Sequence, residues 1–255
     1  MPPQLPEHLL ATMLSFIQQT FSQQHCTQAV IAVSGGIDSA VALTVVTRAM
    51  GSTAIWPLLL PYGEQDMSDA RTLLEFNQIP EAQWQTLDIQ PIVDLICRTR
   101  AIDTNDLVRR GNVMARVRMI LVFDRAREKS ALVCGTENKS EHYLGYFTRF
   151  GDAASDIEPV SQLYKTQVRE LATQLGIPDQ ILTKPPSAGL WAEQTDEQEL
   201  GFSYDEADQV LQALIDGGVP ASSIVIPGLS AETIAAVCAR VEQQAFKRVV
   251  PYTME

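Results

Sequence analysis

The sequence predicts an α/β fold, a doubly wound parallel sheet with a helical C-terminal part. Short apolar runs of strand length alternate with segments of helix length through the first half of the chain. The first apolar run leads into two adjacent glycines, Gly35 and Gly36, and then into a helix. This alternation is typical of parallel sheets, because each crossover between parallel strands needs a long connection, usually a helix.

The elements are expected in a regular order. A leading helix over 8–22 is predicted from apolar residues at helical spacing, Leu10, Met13, Leu14, Ile17 and Phe21. Strands are then expected at 29–33, 54–60, 84–89 and 131–134, and helices from Asp38 onward and at 69–77, 92–98, 106–128, 164–175, 204–216 and 230–245. Segment 184–201 is rich in proline, glycine and polar residues, which predicts a mobile loop.

Composition narrows the class of protein. The 255 residues, 45% of them hydrophobic, are expected to form a single domain over 1–255. A net charge of −12 argues against nucleic acid as the main partner. The chain lacks an apolar run of about 18 residues, so no membrane span is expected. The four cysteines have no metal-ligand spacing, and a reducing cytoplasm is the expected compartment.

The loop after the first strand carries the clearest chemical signal. Ser34, Gly35 and Gly36 lie where free backbone N–H groups and a helix N-terminus meet, an arrangement that binds phosphate. A carboxylate such as Asp38 is repelled by phosphates unless a metal ion lies between them. The loop therefore predicts a polyphosphate bound with Mg²⁺. Its glycine spacing is shorter than that of a Walker loop.

Other polar segments are expected to meet this loop at the carboxyl ends of the strands, where open α/β sheets bind ligands. Segment 135–141 follows the fourth strand and contains Glu141. This carboxylate fits either a solvated helix position or a second Mg²⁺ ligand opposite Asp38. Segment 145–158 has too many glycines and polar residues for a strand and is predicted to be an ordered binding loop. Lys165 opens a helix, where the dipole disfavours a cation, so an anion is expected nearby.

Together these segments resemble NAD synthetases. The strings that carry the resemblance are SGGIDSA, GNVMARVRM, GTENKSE, GYFTRFGDAASDIEPV, LYKTQVRELA, KPPSAGL and KRVVP, and they extend from residue 30 to about residue 251. The first string is shared by the ATP-pyrophosphatase (PP-loop) enzymes, whereas GTENKSE with GYFTRFGD is specific. The resemblance implies a Rossmann-like fold of the adenine nucleotide alpha-hydrolase type. It also implies ATP- and Mg²⁺-dependent amidation of deamido-NAD by ammonia through an acyl adenylate, which releases AMP and pyrophosphate.

The resemblance also implies residue roles at matching positions. ATP is expected to contact Ala32, Val33, Ser34, Gly35, Gly36, Ile37, Asp38, Ser39, Thr136, Lys165 and Ser187, and deamido-NAD to contact Arg116, Arg149, Asp156, Phe246 and Lys247. Asp38 and Glu141 are the expected metal ligands. Asp38, Lys165 and Asp156 are the expected catalytic residues, with Asp156 a candidate base for ammonium. Phe246 stands where a histidine often precedes the final lysine, which calls a side-chain hydrogen bond there into question.

Ammonia is the expected nitrogen source. The chain has room for one helix before the first strand, and no cysteine follows the initiator methionine, so a glutaminase domain is not expected. A separate glutamine amidotransferase that feeds this chain remains an alternative, as does another PP-loop amide-forming ligase such as the corresponding part of GMP synthetase. A nucleotide-binding protein of the universal-stress type is a non-catalytic alternative, but its glycine-rich loop comes late in the chain.

The long helix at 106–128 has more apolar surface than one sheet face needs, which predicts a homodimer.

Overall fold

The computed structural model describes residues 3–191 and 193–254. Residues 1, 2 and 255 of the predicted domain and Ala192 of the predicted loop lie outside the described residues. The strands are β1 (Ala29–Ala32), β2 (Ile55–Leu59), β3 (Gln85–Thr86) and β4 (Leu132–Cys134), and they form one parallel sheet in the order β3-β2-β1-β4. The strands β2 and β3 lie on one side of β1, whereas β4 lies on its other side, so the strand order reverses next to β1. Ligands bind at such switch points in open α/β sheets.

Helices cover the sheet on both faces, which confirms the predicted fold class. The α-helices are α1 (Leu9–Gln23), α2 (Ile37–Met50), α3 (Ser68–Phe76), α4 (Gln90–Thr99), α5 (Leu107–Lys129), α6 (Lys139–Leu144), α7 (Lys165–Leu175), α8 (Asp179–Leu182), α9 (Asp196–Leu200), α10 (Tyr204–Leu211) and α11 (Ala231–Gln243). Short 3-10 turns lie at Ser52–Ala54, Glu81–Gln83, Ala221–Ser223 and Ala245–Arg248. None of the helices described is long and apolar enough to cross a membrane.

The strands alternate their side chains between two cores, as the period of a β-strand requires. Ala29 and Ile31 of β1 pack with α1, α2, α3 and α7 on one face. Val30 packs on the other face with Val93 of α4 and Val117 of α5. A third core holds α6, α10 and α11 together and includes the buried Tyr204. The C-terminal part is therefore helical, as predicted.

Two predicted elements were wrong in extent. The strand expected at 84–89 is reduced to Gln85–Thr86 at the sheet edge, although Leu87 and Ile89 still donate to the carbonyls of Leu59 and Pro61. The helix expected at 204–216 changes to a π-helix over Gln212–Asp216 before Gly217. Side-chain periodicity does not separate an α-helix from a π-turn, and it does not show which strand lies at an edge.

Candidate active site

A cavity of about 480 Å³ lies at the carboxyl end of the sheet. Ala32 at the end of β1, Leu60 after β2 and Cys134 at the end of β4 line its floor. Segment 184–191 lines another side, and its Lys184 ammonium pairs with the Asp69 carboxylate at 2.7 Å. The segment predicted to be a mobile loop is therefore part of the cavity wall. The volume is in the range of pockets that hold a nucleotide-sized ligand.

The glycine-rich loop forms one end of this cavity. Gly35 has φ +83, and a Cβ there would lie 2.8 Å from the Cβ of Asp69, so only glycine fits. The Gly36 N–H donates to the Ser34 hydroxyl at 3.2 Å, and the Ser39 hydroxyl donates to the Gly36 carbonyl at 2.9 Å. The loop is held in shape by its own short polar side chains at the N-terminus of α2. This is the arrangement that receives phosphate groups.

Asp38, Glu141 and Lys165 converge beside the loop. The Lys165 ammonium lies 2.5 Å from Asp38 Oδ2 and 2.8 Å from Glu141 Oε1. The exposed fraction of the three side chains is 3% for Lys165, 17% for Asp38 and 15% for Glu141. The sequence predicts an anion near Lys165, and two carboxylates lie there. They are 127 and 24 residues away along the chain.

Asn138 connects the cluster to the start of α6. Its Nδ2 donates to Asp38 Oδ1 at 2.8 Å, and its Oδ1 accepts from the Glu141 N–H at 3.0 Å. Glu141 Oε2 in turn accepts from the Asn138 N–H, which completes a capping box. Asn138 is fully buried and was not among the predicted site residues. The spacing Asn-x-x-Glu in GTENKSE was the signal that pointed to it.

The charged groups of this cluster shift one another's pKa values. Burial alone would lower the pKa of Lys165, but the carboxylates of Asp38 and Glu141 outweigh it and raise the pKa, so the ammonium stays charged. Burial and then the charge of Asp38 raise the pKa of Glu141, while Lys165 opposes them. Two carboxylates share one ammonium. The cluster therefore favours a further cation nearby.

The donor atoms fit Mg²⁺. Mg²⁺ prefers hard oxygen ligands and is held in nucleotide sites by one or two carboxylates together with phosphate oxygens. Asp38 and Glu141 supply two such carboxylates beside the phosphate loop. No group of three or more His, Cys, Asp or Glu side chains that could hold a metal by itself occurs in the part of the chain that the structure describes. A metal at this site would depend on the nucleotide for its other ligands.

The structure separates the other predicted residues into two groups. The cavity is lined by most of the predicted ATP contacts, namely Ala32, Val33, Ser34, Gly36, Ile37, Asp38, Ser39, Thr136, Lys165 and Ser187, and also by Lys247. Arg116, Arg149, Asp156 and Phe246 are not among its lining residues. The Lys247 ammonium donates to the carbonyls of Gly145 at 2.6 Å and Phe147 at 3.0 Å.

The residues outside the cavity form their own contacts. Arg116 Nε donates to the Arg149 carbonyl at 3.2 Å, and the Arg149 guanidinium lies 5.9 Å from the Phe246 ring centroid. Asp156 is exposed, and its Oδ2 accepts from the Val133 N–H at 2.7 Å. Its carboxylate is thus engaged with the β4 backbone. The predicted roles of these four residues require a ligand that extends beyond the cavity.

Comparison with known proteins gives one consistent result. Residues 9–251 match the family model described as NAD synthase. The NH(3)-dependent NAD(+) synthetase of Thermococcus kodakarensis is 39% identical over 244 residues, which cover 95% of this chain and 94% of the relative. The NMN synthetase structure from Francisella tularensis has a TM-score of 0.85 and 33% identity, and the match covers 99% of this chain and 100% of that one. The NH3-dependent NAD synthetase structure from Campylobacter jejuni has a TM-score of 0.81 and 30% identity, over 98% of both chains.

Proposed function

The chain belongs to the NAD synthase family, and we propose that its cavity carries out the ATP-dependent amidation of deamido-NAD by ammonia. The enzyme is a ligase that forms an amide bond and converts ATP to AMP and pyrophosphate. The observation that carries the assignment to this cavity is the Asp38–Lys165–Glu141 cluster beside the glycine-rich loop. We further propose that residues 1–255 form one synthetase domain and that it works in the cytoplasm, where its four free cysteines stay reduced.

In the first step, an oxygen of the nicotinate carboxylate attacks the α-phosphorus of ATP and pyrophosphate leaves. The N–H groups of the Ser34–Ser39 loop and the hydroxyls of Ser34 and Ser39 bind the phosphates. The charged Lys165 stabilises the negative charge that builds on the leaving pyrophosphate. Asp38 and Glu141 would hold Mg²⁺, which neutralises phosphate charge when it is bound. Most of the catalysis is positioning and electrostatics, as in other phosphoryl transfers.

In the second step, ammonia attacks the carbonyl carbon of the acyl adenylate and AMP leaves. We propose that Arg116, Arg149, Phe246 and Lys247 hold the deamido-NAD, which extends beyond the ATP cavity. Asp156 remains a proposed base for ammonium. Its Oδ2 accepts from the Val133 N–H, so Oδ1 is the oxygen that would take the proton.

A second candidate substrate comes from the similarity to the Francisella tularensis NMN synthetase. A mononucleotide acid, nicotinate mononucleotide, presents the same carboxylate to the same chemistry. The two candidates differ by the adenylate half of deamido-NAD, which is the part expected to lie outside the cavity.

The deciding assay is amide and pyrophosphate formation with each acid. We expect NAD to form from deamido-NAD, ATP, Mg²⁺ and ammonium, with one pyrophosphate per amide. Glutamine in ammonia-free buffer should give no amide, because the similar synthetases of Thermococcus kodakarensis and Campylobacter jejuni are named for their dependence on ammonia. A higher kcat/KM with nicotinate mononucleotide would favour the second substrate, and equal rates with glutamine would contradict the ammonia assignment.

We also propose that the protein is a homodimer through the exposed face of α5. Ile120 and Phe123 on this helix are 65% and 39% exposed, and Leu95 on the adjacent α4 is 57% exposed. Apolar patches of this kind mark interaction surfaces. An isologous interface on this face would bring the surface of the second copy against the part of the substrate that extends out of the cavity.

Ile120→Lys should weaken the dimer, because a buried unpaired lysine is costly at an apolar interface. Sedimentation at micromolar concentration should show a dimer for the unaltered protein and more monomer for the variant. Val225→Lys is the matched control, since Val225 is 87% exposed and lies outside α4 and α5. An unaltered protein that sediments as a fully active monomer would contradict the proposal.

A further inference from the structure

A third carboxylate lies on the cavity, close enough to the Asp38–Lys165–Glu141 cluster to help raise the pKa of Lys165 and of Glu141. Asp196 is the first residue of α9, lines the cavity and is 2% exposed. Its Oδ2 accepts from the Tyr204 hydroxyl at 3.1 Å, and its backbone N–H donates to the Pro186 carbonyl at 3.1 Å. Its Oδ1 is buried and has no hydrogen-bond partner among the residues that the structure describes.

This carboxylate also has no cation of its own among the described residues. Burial raises the pKa of Asp196, and the charge of Lys165 opposes this larger effect. The Lys165 ammonium, however, forms its ion pairs with Asp38 and Glu141. Glu199, on the same helix, is already engaged, because its Oε1 accepts from the Tyr146 hydroxyl at 2.9 Å and from Gln194 Nε2 at 2.7 Å. A buried carboxylate oxygen without a partner is unfavourable and favours a bound cation or donor.

We propose that Asp196 Oδ1 binds the ammonium ion that supplies the amide nitrogen. The proposal rests on the proposed function, in which ammonia is a substrate. Ammonia is largely protonated at neutral pH, so the species that arrives is a small monovalent cation with N–H donors. A carboxylate with one unpartnered oxygen, whose other oxygen accepts from the Tyr204 hydroxyl, suits such an ion. Mg²⁺ prefers several hard oxygen ligands in octahedral geometry and fits this site poorly.

Tyr204 links this site to the reacting groups. The Lys165 ammonium lies 5.1 Å from the centroid of the Tyr204 ring, and the hydroxyl of the same ring contacts Asp196. Tyr204 is fully buried, so its ring fixes both contacts. Ammonium bound at Asp196 would therefore lie beside the lysine that neutralises the phosphates. Its excess proton would pass to the Asp196 carboxylate before the nitrogen attacks, so this site would replace Asp156 as the base for ammonium.

The test is Asp196→Asn, which keeps the shape and removes the charge. We expect the KM for ammonium to rise about tenfold or more, the scale of one lost charge-assisted hydrogen bond. The KM for ammonium should rise by a larger factor than the KM for ATP and by a larger factor than the loss in pyrophosphate release without ammonia, because Asp196 also lines the ATP cavity. Asp205→Asn is the matched control, because Asp205 is exposed and pairs only loosely with Arg169 at 3.5 Å. An unchanged KM for ammonium, or an equal loss in pyrophosphate release, would overturn the proposal.

A second measurement uses the unaltered protein, in case Asp196→Asn does not fold. Thallium(I), a monovalent cation of similar size to ammonium, should inhibit competitively with ammonium and leave pyrophosphate release without ammonia unaffected. Lack of competition would overturn the site. An unaltered protein that makes no amide at all would refute the proposed function itself, whereas an active enzyme with an ammonium KM insensitive to Asp196→Asn would refute only the ammonium site.

Discussion

Asp38→Asn should slow pyrophosphate release by about 100-fold or more, the scale seen when one strong electrostatic stabiliser is lost. Asp38 lies at the glycine-rich loop, and its two oxygens contact Asn138 and Lys165. The asparagine keeps the size of the side chain but removes the charge that would hold Mg²⁺ and orient Lys165. The effect should appear in the adenylation step, measured as pyrophosphate release in the absence of ammonia.

Glu141→Gln should behave in the same way, because both carboxylates would serve one metal ion. The double variant should then be little slower than either single variant, as expected for residues that act as a unit. Titration of Mg²⁺ separates this role from a purely structural one, since each variant should need more Mg²⁺ for half-maximal rate. Wild-type rates and an unchanged Mg²⁺ requirement in Asp38→Asn would reject the assignment.

The parts of the fold that follow local rules could be predicted from the sequence. The apolar alternation gave the parallel sheet, and the confirmed family assignment rested on motifs that stand at strand ends. The convergence of Asp38 with Glu141 was expected because both follow the carboxyl ends of strands that turned out to be neighbours, β1 and β4. The spacing of Asn138 and Glu141 is also that of a capping box, which the structure contains.

The rest depended on contacts between distant segments. Asp196 meets Tyr204 across a turn of irregular chain. Tyr204 opens the buried face of α10, but no periodic pattern marks Asp196 as its partner. Glycine is required at position 35 for two reasons. Its φ is positive, and a side chain there would collide with Asp69, which lies 34 positions later on another helix. The short extent of β3 reflects its place at the sheet edge. Such features are set by tertiary packing, which local patterns do not encode.

Lys165→Met should lower the free energy of unfolding by about 3–5 kcal/mol, the cost of breaking a buried ion pair by removing one partner. Methionine replaces the length of the lysine but not its charge, and it leaves Asp38 and Glu141 facing each other without a cation. The Lys165 side chain is 3% exposed, so water cannot replace the lost ammonium. Urea unfolding at neutral pH measures the change. Lys184→Met is the control, because Lys184 is 47% exposed in its pair with Asp69 and should cost less than about 1 kcal/mol.

The loss of stability in Lys165→Met should also depend on pH. The pKa of Glu141 is already raised by burial and by Asp38, and Lys165 is the group that opposes this shift. Without Lys165 the pKa rises further, so the folded variant takes up a proton that the unfolded chain, with a glutamate pKa of about 4.3, does not hold. The stability of the variant is then greatest at acid pH and falls as the pH rises through the folded pKa. The raised pKa of Lys165 keeps the native ion pairs intact below the unfolded lysine value of about 10.4. The difference in stability between the native protein and Lys165→Met should therefore be smaller at acid pH than between neutral pH and about pH 10. A difference independent of pH would show that the carboxylates do not depend on Lys165.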